Sequence, residues 1–286
     1  MHYARPNSLK DAISLLAEAK GKAFVLAGGS DLLVRMKSGH VEPDLIVDIK
    51  KIDGLDEIRK TANGFRIGAA VPCAAMGEAA ALKKAWPGVV EAANLIGSKQ
   101  VQGRCTIVGN LCNASPAADS VPALAAAGAK AVIAGPKRKR TIAVEKVVTA
   151  PGRTSLGKGE IVEAVLLDKR PARSGDAYLR FIPRTEMDIA VVSAGVSLTL
   201  DAKGVVKAAR VALGAVAPTV LLVTPAAKAI VGTKLEDAAL DKLAAACSAA
   251  CSPIDDKRGT VEFRTKVAGV LAKRAARIAY KRAGGK

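Results

Sequence analysis

Apolar positions recur at helical and strand spacings along most of the chain, and the pattern changes character once. Ser8-Leu9-Lys10-Asp11 opens a helix, with Ser8 as N-cap and an acid three residues on. Ala12, Leu15, Leu16 and Ala19 then share one face, and Gly21 ends the helix. Residues 24–27 form a short apolar run that predicts a buried strand, followed at once by Gly28-Gly29-Ser30-Asp31. Residues 32–37 read as a helical turn. Residues 45–49 and 65–69 read as strands, the latter entered through the turn Asn63-Gly64. Helices are expected near 74–84 and 88–95, then a glycine- and polar-rich loop over 97–115. Pro116 suits the first turn of a helix ending near Gly128. Residues 131–134, 141–144 and 161–167 read as strands. Past Pro171 the pattern becomes a long alternating strand over 188–200, a turn at Asp201-Ala202-Lys203-Gly204, and a return strand over 205–213. Helices follow at 226–231, 237–250 and 258–281, the last with an apolar stripe of Phe263, Val267, Val270, Leu271 and Ile278. The chain divides at about residue 174, giving parts 1–174 and 175–286, without an internal repeat.

Composition narrows the class. Half of the 286 residues are apolar, which excludes a disordered chain. Alanine supplies 56 positions and aromatic residues only 3%, so the core is built from small and aliphatic side chains. No apolar run approaches the ~20 residues of a membrane-spanning helix, and the N-terminus lacks the apolar stretch of a secretory signal. A cytoplasmic location is expected. Five scattered cysteines (Cys73, Cys105, Cys112, Cys247, Cys251) without a Cys-x-x-Cys argue against a disulfide framework or a metal site, and read as buried or half-buried thiols. The formal charge of +18 raises nucleic-acid binding as a rival. Its two clusters, at 137–140 and 273–282, look like an exposed hairpin and the wet face of a terminal helix, and charge alone is an unspecific signal.

Two segments carry chemistry. In Val25-Leu26-Ala27-Gly28-Gly29-Ser30-Asp31-Leu32, glycines directly after a strand let the backbone approach a ligand, and successive N–H groups can cradle a diphosphate. No Gly-x-Gly-x-x-Gly or Walker A pattern occurs here. In the second, Thr106-Ile107-Val108-Gly109-Asn110-Leu111-Cys112-Asn113-Ala114-Ser115-Pro116-Ala117-Ala118-Asp119, polar groups stand among small residues, as a ligand with diphosphate and polyol parts requires.

Together these segments resemble the FAD-binding subunit of the molybdenum hydroxylases, of the xanthine dehydrogenase and aerobic carbon monoxide dehydrogenase type. The likeness continues in order through residues 184–190, 212–219, 254–259 and 262–264, so it spans essentially the whole chain. It implies an α+β fold: a two-lobed FAD-binding domain, divided near residue 60, and a C-terminal domain of antiparallel sheet and helices. It implies that residues 25–32 (Val25, Leu26, Ala27, Gly28, Gly29, Ser30, Asp31, Leu32) and Thr106, Ile107, Val108, Gly109 and Asn110 contact the diphosphate and ribityl groups. Asp119 is expected to accept from a cofactor hydroxyl. Ile96 is expected near the flavin, Val162 beside the ring or adenine, and Arg180 as a basic group near the flavin.

The function implied is electron transfer. Chemistry occurs at a molybdenum–pterin site in a large subunit, electrons pass through [2Fe–2S] clusters of a small subunit to FAD on this chain, and then to an external acceptor. A dimer of heterotrimers is the expected assembly, with no metal and no catalytic residue on this chain. One position departs from the family pattern: Val108 stands where glycine is usual. If that glycine supplied a positive φ, the loop would need rebuilding and a scaffold with a decayed site would be the alternative. If it only left room, Val108 keeps an ordinary negative φ and FAD binds, somewhat loosely.

Overall fold

The computed structural model describes residues 1–285. The first lobe is a parallel three-stranded sheet made by strand–helix–strand units: β1 (His2–Ala4), α1 (Leu9–Glu18), β2 (Ala23–Leu26), α2 (Leu32–Lys37) and β3 (Leu45–Asp48), in the order β1-β3-β2. Ser8 does cap α1, its Oγ accepting from the Asp11 amide at 3.1 Å, and Ala12 and Leu16 are the buried members of the expected face.

The second lobe is an antiparallel five-stranded sheet of order β4-β5-β10-β6-β7 with a helical layer. It runs β4 (Ile58–Thr61), β5 (Gly64–Gly68), α3 (Cys73–Glu78), α4 (Ala80–Ala85), α5 (Pro87–Ala93), α6 (Lys99–Gln102), α7 (Ile107–Cys112), α8 (Ser120–Ala126), β6 (Lys130–Ala134), β7 (Lys139–Ala143), a 3-10 turn (Val144–Lys146), β8 (Val148–Ala150), β9 (Arg153–Thr154) and β10 (Ile161–Asp168). Three expectations are corrected here. The helix expected near 74–84 is two short helices, α3 and α4, meeting at Ala79. The helix expected from Pro116 begins instead at Ser120, and Pro116 lies in the turn before it. The loop expected over 97–115 contains two short helices, α6 and α7.

The C-terminal part is a four-stranded sheet of order β11-β12-β13-β14, formed by β11 (Ser174–Phe181), β12 (Val192–Leu200), β13 (Val206–Gly214) and β14 (Leu221–Leu222). Behind it stand α9 (Thr224–Ile230), α10 (Asp237–Ala250) and α11 (Val261–Arg282). The expected stripe on α11 is corrected. Leu271 is buried and Val267 and Ile278 pack against the core, but Phe263 and Val270 are 39% and 37% exposed, and the fully buried face is largely Ala268, Ala272, Ala275, Ala276 and Ala279. Alanine faces let the helix lie close on β11: a Cβ on Gly175 would stand 2.0 Å from the Ala279 carbonyl oxygen. The alanine-rich composition is thus a packing distance between helix and sheet.

Two apolar cores result. One fills the space around β5, β10, β6 and the helices from α3 to α8, and it also takes in Tyr178 and Ala212. The other lies between β12, β13 and the three C-terminal helices. Among the described residues no helix is long and apolar enough to cross a membrane.

Candidate functional site

The turn that leaves β2 and the segment that enters α7 are pressed together. A Cβ on Gly28 would stand 2.1 Å from the Arg104 carbonyl oxygen and 2.8 Å from the Cys105 Cα, so only glycine lets these backbones meet. Gly29 follows at φ +78, where side chains are strained. A second contact ties the segments: Asn113 Nδ2 donates to Asp31 Oδ1 at 3.1 Å. The Gly152 amide in turn donates to the Ala114 carbonyl at 2.9 Å, which holds the β8–β9 turn against the same place.

Between these pieces lies a cavity of about 410 Å³. The first lobe contributes Val25, Ala27, Gly28, Gly29, Ser30, Asp31 and Leu32 to its wall. The second lobe contributes Ile96, Thr106, Val108, Gly109, Asn110 and Val162. Fold topology therefore brings together thirteen residues that the chain separates by up to 137 positions. Leu26 and Ile107, expected with them, point into the apolar packing instead: they are 9% and 0% exposed and do not line the cavity. Ile107 shares the buried face of α7 with Leu111, and Leu26 is the buried end of β2.

Asp119 and Arg180 are also absent from the wall. Arg180 Nη1 lies 2.9 Å from Asp119 Oδ2, and the Tyr178 hydroxyl donates to Asp119 Oδ1 at 3.3 Å. The carboxylate expected to face a cofactor hydroxyl is engaged by β11. Burial raises the Asp119 carboxyl above its ordinary range, and Arg180 opposes that rise. Tyr178 is pushed well above the usual phenol range, chiefly by burial.

The segment read as a loop at 106–110 is the start of α7. Thr106 caps it, Oγ1 accepting from the Gly109 amide at 2.8 Å, which leaves the hydroxyl proton free to donate. Asn110 Oδ1 accepts from the Ser120 amide at 3.0 Å and from the Ser120 hydroxyl at 2.7 Å, leaving Nδ2 as a donor at the cavity. Val108 is within the helix, is not among the residues of positive φ, and is 5% exposed. Its backbone is ordinary, so the side chain's effect is to occupy space.

Sequence reasoning missed the far wall. Gly152, Thr154, Leu156 and Glu160 come from the β8–β9 ribbon and the turn before β10. The dipeptide Pro151-Gly152 was the available signal for a turn there. Glu160 is held by Arg140 Nη2 at 2.7 Å and by the Gly157 amide at 2.8 Å, and the Arg140 hydrogen bond above all holds its carboxyl down to about 2. Desolvation raises Asp31 in the cleft, with Arg35 opposing.

This wall suits a ligand carrying a diphosphate. Among the described residues, the amides of Gly29, Ser30, Asp31 and Leu32 donate to no backbone carbonyl, and the hydroxyl of Thr106 and amide of Asn110 add neutral donors. Gly29 stands at φ +78, and a Cβ there would meet the Leu26 and Leu33 side chains at 3.0 Å, so the turn favours glycine.

Comparison with known proteins agrees. Residues 1–168 match the family "FAD binding domain in molybdopterin dehydrogenase", and residues 177–279 match "CO dehydrogenase flavoprotein C-terminal domain". The chain is 34% identical over 281 residues to the carbon monoxide dehydrogenase medium chain of Afipia carboxidovorans, covering 98% of this chain and 97% of that one. It is 29% identical to the xanthine dehydrogenase FAD-binding subunit of Escherichia coli O157:H7, covering 99% and 97%. It superimposes on a chain of the crystal structure of the Cu,Mo-CO dehydrogenase with a TM-score of 0.94 at 34% identity, covering 99% and 98%. With the fold, the donor set and these likenesses in agreement, the chain belongs to the FAD-binding medium subunits of the molybdenum hydroxylases, oxidoreductases of the carbon monoxide dehydrogenase and xanthine dehydrogenase type, and FAD is its cofactor.

Proposed function

We propose that this chain is the electron-transfer subunit of a heterotrimeric molybdenum hydroxylase, standing between the [2Fe–2S] clusters of a small partner subunit and an external acceptor. The molybdenum–pterin centre belongs to a large partner subunit, and a dimer of heterotrimers is the proposed assembly. The observation that carries the reading is the meeting of the two glycine-bearing segments around one cavity, with Gly28 packed on Arg104 and Cys105.

FAD, when bound, supplies the exchange between paired and single electrons that such a position requires. The chain's own residues bind and orient it. Amides at 29–32 are the proposed diphosphate donors, and Thr106 and Asn110 the proposed donors to the diphosphate and ribityl groups. Ile96 and Val162 are apolar members of the cavity wall, where they exclude water. Asp119 and Arg180 act behind the wall, through α8 and β11. The two parts 1–174 and 175–286 are the proposed domains. A cytoplasmic site is in keeping with five free thiols.

Co-purification tests the reading. The complex is expected to contain iron, molybdenum and flavin, and the chain purified alone to contain or bind flavin only. Iron–sulfur absorption in the isolated chain, or no flavin binding by it, overturns the proposal.

A further inference from the structure

A second cleft, of about 710 Å³, shares no residue with the flavin cavity. Three stretches of chain form it: the β4–β5 hairpin, the end of α4 with Trp86, and residues 168–174, which connect β10 to β11. That connection runs from the end of the first family match towards the start of the second, so the cleft stands where the two parts of the chain join. Lys60, Lys84, Lys169, Arg170 and Arg173 line it, against one carboxylate, Asp168, which Lys130 already holds at 2.7 Å. Among the described residues Lys60, Lys84 and Lys169 form no ion pair, and Arg173 Nη2 donates to the Gly284 carbonyl at 3.4 Å.

Arg170 is the fixed member of the set. Its side chain is 10% exposed, and Nη1 donates to the Ala85 carbonyl at 2.6 Å and to Asp176 Oδ1 at 2.7 Å. The guanidinium carbon stands 4.4 Å from the centre of the Trp86 ring, and Nη2 is buried without a partner. Phe65, Trp86 and Pro171 add apolar surface to the wall. Unpaired cations on low-dielectric walls focus a positive field into a cleft. Small-molecule sites occupy about 300–1,000 Å³ and combine apolar walls with a few convergent polar groups, and this cleft has both properties. The ligand that answers it carries several negative charges on a carbon body, since a single carboxylate would leave most of the cations unpaired.

We propose that this cleft is an organic-phosphate site, separate from the FAD cavity, which takes a nucleoside polyphosphate. Its phosphates pair with Lys60, Lys84, Lys169 and Arg173, and its uncharged part lies against the wall of Phe65, Trp86 and Pro171. The ligand touches the hairpin, α4 and the 168–174 connection together. It relieves the repulsion among the four cations and fastens the joint between the two parts of the chain, so its binding raises the unfolding temperature.

The test is calorimetric titration of the full chain with magnesium-free ATP, run with FAD saturating so that the flavin cavity is occupied. ATP is expected to bind at one site and to raise the unfolding temperature, inorganic triphosphate to bind several-fold more weakly, and benzoate not to bind. Lys84→Gln and Lys169→Gln, both at exposed positions, are each expected to weaken ATP binding about fivefold. Lys84→Glu combined with Lys169→Glu is expected to abolish it. Lys137→Gln combined with Arg138→Gln removes two charges from the exposed β6–β7 turn, outside the cleft, and is expected to leave the affinity unchanged. No binding of ATP, release of flavin in step with ATP binding, or an equal loss from the β6–β7 pair overturns the proposal. Equal affinity for inorganic triphosphate overturns the nucleoside part of it. If the chain binds no flavin, the cofactor reading fails, and the same substitutions in the flavin-free chain decide the phosphate site, because Lys84 and Lys169 lie outside the flavin cavity.

Discussion

Gly28→Ala probes the seam on which the cofactor site depends. The added Cβ would stand 2.1 Å from the Arg104 carbonyl oxygen, 2.7 Å from its carbon and 2.8 Å from the Cys105 Cα. An unstrained C···O contact begins at about 3.3 Å, so the two segments must part by about 1.2 Å. The obstacle is backbone, which no rotamer change relieves. Overpacking of this kind costs about 1–3 kcal/mol of stability, and the upper half of that range is expected. Separation also moves the Thr106 and Asn110 donors away from the amides that follow Gly28. Losing the alignment of two hydrogen bonds at about 1 kcal/mol each lowers FAD affinity about 30-fold. The assay is titration of stripped protein with FAD by flavin fluorescence, paired with thermal unfolding. Gly39→Ala is the control: Gly39 lies at positive φ, at +72, and its Cβ would meet nothing within 4 Å. The control is expected to lose stability by about 1–2 kcal/mol from backbone strain and to keep its FAD affinity. If Gly28→Ala binds FAD within twofold of the parent, the two-segment seam does not shape the site.

Three further outcomes are expected. Val108→Gly should bind FAD a few-fold more tightly while unfolding at lower temperature, because the helix loses a buried side chain worth about 1.5–3 kcal/mol; unchanged affinity would reject crowding by Val108. Asp119→Ala should cost about 3–5 kcal/mol in chemical denaturation, because it strands the Arg180 guanidinium, whose side chain is 5% exposed; a loss of FAD affinity at full stability would instead put Asp119 in contact with the cofactor. Glu160, held down to about 2 from 4.5 by Arg140, contributes stability that is fully present above pH 4.5 and is lost as pH falls towards 2. Allowing for solvent around the pair, this is about 1–2 kcal/mol, and Glu160→Gln should flatten that acid limb.

Local chemistry was legible where local chemistry decides the structure. The Ser8 cap and the β12–β13 hairpin follow from a capping residue and turn residues, although β12 begins at Val192 and not at 188, where the alternation starts. β11 was missed because Ser174, Gly175 and Asp176 break the apolar alternation. Burial there is made possible by its partners: Asp176 accepts from the distant Val89 amide at 3.1 Å and from nearby Arg170 at 2.7 Å. β1 and β4 were missed because they are short, and β4 is mostly exposed, so pairing with β3 and β5 alone defines them. Glycine and asparagine at 109–110 read as loop residues, yet Thr106 and the packing of Ile107 and Leu111 hold them in α7. For α11 the large apolar residues misled, since its contact face is set by how near alanine lets it come.

The same contrast explains the division of labour in the molecule. Among the described residues, the cavity wall ends at Val162, so the C-terminal sheet contributes no side chain to it. That sheet instead grips the helices behind the wall. Arg210 donates to the Ala125 carbonyl at 2.9 and 3.1 Å and pairs with Glu145, and Arg180 holds Asp119 at the start of α8. Ser120, next to Asp119, is the residue that orients Asn110. A chain of direct contacts therefore runs from β11 through Arg180, Asp119 and Ser120 to an amide at the cavity. Buried polar contacts of this kind are unforgiving of small displacements, because each lost partner leaves a desolvated group behind. The C-terminal sheet thus touches the cavity only through the helices behind its wall. Asp119 and Arg180, which the family resemblance marks, stand in that chain of contacts behind the wall and do not line the cavity.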